Sequence, residues 1–159
     1  MHIRARCLAI PFVTHFSPAA ARNTTSQTLW VEILDEYGNC GYGEGSPCEA
    51  VSGESVDSGL KFIAACTPHW QTTISDMASL HGWVAENHTL IDANPAAWCA
   101  IELAFLDLFG KQTETTVESL LDPSPLCGEF RFSAVFVDSD SEQFERKLVV
   151  YLQSGFERF

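Results

Sequence analysis

Apolar positions gather into strand-like runs in the early part of the chain and take helical spacing after it. Ile3 to Val13 reads as a strand that leaves its sheet at Pro11, because proline cannot donate to a backbone ladder. Thr28 to Leu34 reads as a second strand, Asp35–Asn39 as a glycine-containing turn, and Cys40–Glu44 as the returning strand of a hairpin. Two loops flank the hairpin, Thr14–Gln27 and Gly45–Gly53. The first is long enough to suggest a functional or disordered segment.

Helical spacing begins at Glu54. Val56, Leu60, Ile63 and Ala64 line one face of a helix over Glu54–Cys66, and Ile74–Glu86 is a second candidate, weakened by Gly82. The clearest helix has Asn94 as N-cap, Pro95 in its first turn and an end at Gly110. It is apolar on nearly every side, which predicts burial against more than one neighbour and makes Cys99 a buried, hydrophobe-like thiol. A short helix over Thr116–Leu121 follows, and Pro123, Pro125 and Gly128 form a linker. Beyond it Phe130–Val137 reads as a strand and Ser141–Gln153 as an amphipathic helix presenting Phe144, Leu148 and Tyr151. Gly155 caps that helix before a second strand opens at Phe156–Phe159. Strand, helix and strand with short connections make a βαβ unit with parallel strands. The chain therefore reads as an antiparallel α+β domain over residues 1–126 and the start of an α/β domain over 127–159.

Composition narrows the partners. The 159-residue chain is 46% hydrophobic and 19% charged, which is globular, and its formal net charge of -12 repels nucleic acid and anionic membranes. No run approaches the ~18 apolar residues of a membrane span. The start lacks the apolar stretch of a signal peptide. Six scattered cysteines without CxxC spacing, and histidines without zinc-ligand spacing, point to reduced thiols and the cytoplasm.

Four pieces in order carry a resemblance. Gly41-Tyr42-Gly43-Glu44 after the hairpin resembles the G-[YW]-G-E that ends the capping sheet of the enolase superfamily, muconate-lactonizing branch. Ala96 to Lys111 resembles that family's A-A-x-x-A-x-[ED]-x-A-L-x-D-x-x-G-K helix. Ser133-Ala134-Val135 and Tyr151–Phe156 are similar to the first barrel strand and its helix. Pro47–Ser58 resembles the P-x-x-x-[IV]-T-G-[DE]-S-x-x-S segment of the dipeptide epimerases, with Ser52 keeping the hydroxyl of the usual Thr.

The resemblance implies an enolase-N-terminal-like capping domain, a three-stranded antiparallel sheet followed by a helical bundle, with the first βα unit of a truncated TIM-type barrel. The parent enzyme would be a Mg²⁺-dependent epimerase or racemase of dipeptides such as L-Ala-D/L-Glu. A muconate cycloisomerase or o-succinylbenzoate synthase parent, or a non-catalytic binding or assembly module, is the alternative. In such enzymes two loops of the cap close over the barrel mouth. The resemblance thus implies substrate contact for Phe16, Arg22 and Thr24 in the first loop and for Cys48, Val51, Ser52 and Gly53 in the second. An Arg22 guanidinium suits a substrate carboxylate. The family's Lys-x-Lys follows the segment that is Gly155–Phe159 here, and its metal carboxylates follow later. The expectation is that this chain holds no catalytic residue, binds no Mg²⁺ and is inactive alone. Substrate, a dipeptide or small carboxylate, would bind only to the intact enzyme.

Several side chains admit plainer readings. Glu44, Glu49 and Glu54 could be hard-cation ligands, but a solvated or capping role fits their spacing better, and Glu54 is placed to support the helix it precedes. Glu102 and Asp107 are expected as buried structural carboxylates at the cap–barrel junction. Ser133 has no G-x-S-x-G context, which argues against a nucleophile. An opening barrel strand with open edges predicts self-association through residues 130–159.

Overall fold

The computed structural model of this chain describes residues 1–11, 25–121, 124, 127–136 and 141–158. Among them two compact units separate, one of residues 1–10, 27–121 and 124 and the other of 11, 25–26, 127–136 and 141–158.

The first unit holds a three-stranded antiparallel sheet in the order β1 (His2–Pro11), β2 (Thr25–Leu34), β3 (Cys40–Gly45). β2 starts earlier than expected, so Thr25–Gln27 belong to the sheet rather than to the first loop. β2 and β3 pair antiparallel, with Trp30 opposite Glu44, Glu32 opposite Tyr42 and Leu34 opposite Cys40. The hairpin turn is closed by Asp35, whose carboxylate accepts the N–H groups of Tyr37 and Asn39 at 2.9 and 2.8 Å. Gly38, at a φ of 92°, supplies the left-handed residue the turn needs.

Leu29, Val31 and Ile33 alternate along β2 toward the helices and are fully buried. The matching face of β3 carries Gly41, Gly43 and Gly45, and the reason is steric. A β-carbon on any of them would overlap a carbonyl oxygen of helix α4 (Pro95–Thr113), that of Ala104, Ala100 and Ala96 respectively. Two strand residues advance about 6.6 Å and four helix residues about 6 Å, so the glycine and alanine series stay in step. The helix rests backbone to backbone on the strand.

Around this contact lie α1 (Val56–Thr73), α2 (Met77–Glu86), α3 (His88–Asp92) and α5 (Val117–Leu121). α1 runs past the expected end at Cys66 and through Pro68, because Trp70 in its last turn is fully buried. Trp70 meets Phe62 and Trp83 edge-on at 5.5 Å, and Trp83 stacks on Trp98 at 4.6 Å. The second candidate helix begins only at Met77, since Asp76 and Ser79 form a reciprocal capping box there. α3, which no apolar spacing announces, is a single extra turn.

α4 departs from the sequence reading in three ways. It continues past Gly110 to Thr113 and stops where Glu114 turns left-handed at a φ of 54°. Asn94 makes no side-chain cap, and its amide instead donates to the carbonyl of Leu90 at 3.0 Å. Cys99 is exposed, because it and Leu103 share the stripe that faces away from β3 and α1. Partial burial of its sulfur and the charges of Glu102 and Glu44 push the Cys99 thiol up. Glu102 and Asp107 are half-buried rather than buried. Asp107 accepts the N–H of Tyr42 at 2.8 Å and the Lys111 ammonium at 2.7 Å, tying helix to strand.

In the second unit, α6 (Ser141–Gln153) forms as the spacing predicts. Phe144 and Tyr151 close on Phe136 with ring centroids 4.5 and 5.3 Å apart. Gly155, at a φ of 85°, ends the helix, and the N–H of Phe156 bonds back to the Tyr151 carbonyl at 3.0 Å. The expected strand Phe130–Val137 is not a regular strand over its described part, residues 130–136. A ladder needs consecutive bonds, whereas the bond described here runs from the Ala134 N–H to the Arg158 carbonyl at 2.9 Å, and residues 156–158, expected to open a second strand, form no regular strand either. Phe130, Phe132 and Val135 are exposed, so most of the segment lacks the two covered faces of a parallel strand.

Candidate functional site

The loop after β3 is presented by a rigid stem. On its incoming side the buried Thr28 hydroxyl lies 2.8 Å from both the Glu44 carboxylate and the Gly45 carbonyl. This fixes the end of β3 against β2. At the tip the chain folds on one acceptor, since the carbonyl of Cys48 takes the N–H of Val51 at 2.9 Å and of Ser52 at 2.8 Å. The Ser52 hydroxyl reaches the same carbonyl at 3.3 Å. The hydroxyl kept at this position thus reinforces a turn.

Gly53 follows at a φ of 76° with open space around it, and the chain turns into Glu54. Glu54 is 2% exposed. Its carboxylate does not support its own helix, contrary to the sequence reading; it accepts the N–H groups of Ala96 and Ala97 in the first turn of α4 at 2.8 and 3.2 Å. It takes the place that Asn94 leaves empty. The helix dipole favours a negative charge there, which makes burial of the carboxylate tolerable. α1 is capped by Ser55 in a reciprocal box with Ser58 instead.

The four second-loop residues expected to meet substrate lie together at this turn. Cys48 and Gly53 are exposed, Ser52 is half-buried, and Val51 stands out with 86% of its surface free. An exposed apolar tip on a fixed stem can cover a ligand. Phe16, Arg22 and Thr24, the expected contacts of the first loop, lie outside the described residues.

Glu44, Glu49 and Glu54 do not converge. Glu44 serves Thr28, Glu54 serves α4 and Glu49 is exposed. Among the described residues no group of three or more His, Cys, Asp or Glu side chains could hold a metal ion. No helix among them is long and apolar enough to cross a membrane. The sequence reading missed Gly45 and the true partner of Glu54. The glycine series on β3 and the four-residue alanine series on α4 were the available signal.

The fold is found in known structures. The chain is similar to a dipeptide epimerase from Methylococcus capsulatus solved with Mg and the dipeptide L-Arg-D-Lys, with a TM-score of 0.80 at 22% identity over 98% of this chain and 43% of that one. It is similar to the L-Ala-D/L-Glu epimerase from Bacillus subtilis in a substrate-liganded complex, with a TM-score of 0.76, 23% identity, and coverage of 98% and 43%. It is also similar to an N-succinyl Arg/Lys racemase from Bacillus cereus, with a TM-score of 0.74, 22% identity, and coverage of 96% and 41%. The architecture is that of the N-terminal part of enolase-superfamily structures, and the chain spans less than half the length of these proteins. No family model matches the sequence, and no curated protein matches it.

Proposed function

We propose that residues 1–126 are the capping domain, and residues 127–159 the opening of the barrel, of a Mg²⁺-dependent enolase-superfamily epimerase or racemase acting on dipeptides such as L-Ala-D/L-Glu. The observation that carries this reading is the likeness over 98% of the chain to epimerases solved with dipeptides, combined with the projecting turn Cys48–Gly53. In such a reaction a proton leaves the carbon beside a carboxylate, and a bound Mg²⁺ would supply positive charge to that carboxylate. In the resemblance the family's Lys-x-Lys and metal carboxylates follow the segment Gly155–Phe159, so this reading assigns the chain no step of the chemistry. Its part is to cover and to select. Val51 offers apolar surface to the distal side chain of the dipeptide, the Cys48–Ser52 turn fixes its position, and Arg22 is assigned to a substrate carboxylate.

By this reading the chain alone is inactive. Incubated with Mg²⁺ and L-Ala-L-Glu in D₂O, it leaves the α-protons in place in the proton NMR spectrum. Deuterium incorporation catalysed by the purified chain would put an acid–base pair within these residues and overturn the assignment.

The reading also gives the second unit a surface to cover. Phe130, Phe132 and Val135 are exposed, which supports self-association through residues 130–159.

A further inference from the structure

The loop of residues 46–53 leaves the fold and re-enters it on the same turn of α4. On the incoming side Gly45 is buried, and a β-carbon there would overlap the carbonyl oxygen of Ala96. On the outgoing side the Glu54 carboxylate holds the N–H of Ala96 at 2.8 Å and that of Ala97 at 3.2 Å. Ala96 therefore touches both stems, one through its carbonyl and the other through its N–H.

The first N–H groups of a helix have no partner within it and must be satisfied from outside. In α2 the cap comes from the adjacent Asp76. In α4 the adjacent Asn94 side chain is turned away to Leu90, and the cap comes from a distant loop. A local cap stabilises one helix end. A remote cap also fixes the segment that carries it, and here that segment is the base of the projecting turn. Gly53, left-handed, exposed and with nothing within 4 Å of where its β-carbon would lie, is the first residue above the fastening.

We infer that Glu54 is the positioning residue of this loop: its carboxylate fastens the outgoing stem to α4, so that the Cys48–Ser52 turn can move only by bending within residues 46–53. Its consequence for selecting a substrate rests on the function proposed above. The same contact occupies the N-terminus of α4 and leaves no free N–H pair there for an anionic ligand.

Backbone amide exchange, read residue by residue by NMR on the full chain without ligand, tests the fastening. In the wild type, Ala96 and Ala97 exchange slowly for first-turn amides. In Glu54→Gln, exchange at Ala96, Ala97, Val51 and Ser52 rises by about tenfold, the scale of losing a charge-assisted bond. The amides of the β2–β3 pairs keep their rates. Glu54→Asp, which can reach the helix end with one oxygen, recovers part of the protection.

An equal rise at every amide would reduce Glu54 to a general stability residue and overturn the inference. So would unchanged rates at Val51 and Ser52. If Glu54→Gln does not fold, the wild type alone decides. Exchange at Ala96 and Ala97 as fast as at Asp57, in the exposed first turn of α1, means that no fastening exists. The proposed function is tested by deuterium incorporation with the isolated chain instead, so the two failures are distinct.

Discussion

Gly43 lies so close beneath Ala100 that a β-carbon on the strand residue would overlap the helix carbonyl oxygen. The contact is backbone against backbone, and neither partner can swing aside as a side chain would. Gly43→Ala must push α4 off β3 and disturb the buried row Leu29, Val31 and Ile33. The expected cost is about 3 kcal/mol, at the upper end for overpacking a close-packed core. A urea melt followed by circular dichroism checks it, and a midpoint equal to that of wild type would contradict the packing described.

Gly82 gives the opposite result. It is exposed in the middle of α2, and nothing lies within 4 Å of the position its β-carbon would take. Gly82→Ala therefore removes freedom from the unfolded chain without a clash and stabilises by about 0.5–1 kcal/mol. The same melt reads a midpoint shift to higher urea.

The hairpin turn makes acid stability depend on Asp35. The Gln112 amide donates to its carboxylate at 2.9 Å, and with Asn39 and the turn N–H groups it holds the group down from 3.8 to about 2. A carboxyl lowered in the folded state contributes stability above its unfolded value and loses it as the pH falls toward the folded one. The contribution is therefore present above pH 3.8 and fades between there and about pH 2. Asp35→Asn flattens the pH dependence of the melting temperature within that window, and Gln112→Ala moves its lower edge upward.

These three outcomes show what could be read from the chain alone and what could not. Strand and helix identities followed from β-branched runs and helical spacing, because those report which face each segment buries. The places where reading failed depend on partners far away in sequence. Glu54 looks like an N-terminal helper of the helix beside it, and only the fold reveals that Ser55 does that work while Glu54 crosses to Ala96. Cys99 sits in an apolar run yet faces outward, since spacing cannot say which stripe of an apolar helix is left uncovered. Phe130–Val137 has the composition of a buried parallel strand, but composition supplies no neighbour to pair with it. The turn at Cys48–Gly53 was legible as a motif, though not as a clamp.

The proposed self-association rests on the second unit. Phe132 is 74% exposed and Val135 66%. Sedimentation velocity is expected to show a dimer or larger species that dissociates toward monomer in Phe132→Asp. A monomer at all concentrations, with residues 130–158 ordered by amide exchange, would contradict it.

The function proposed above makes this chain the cap and barrel opening of an epimerase and expects the catalytic groups downstream of it. Reading the transcript past the codon for Phe159 tests it most directly. The account predicts a Lys-x-Lys within the first few codons and spaced Asp and Glu codons further on. An immediate stop codon, or an open frame without that lysine pair, contradicts it.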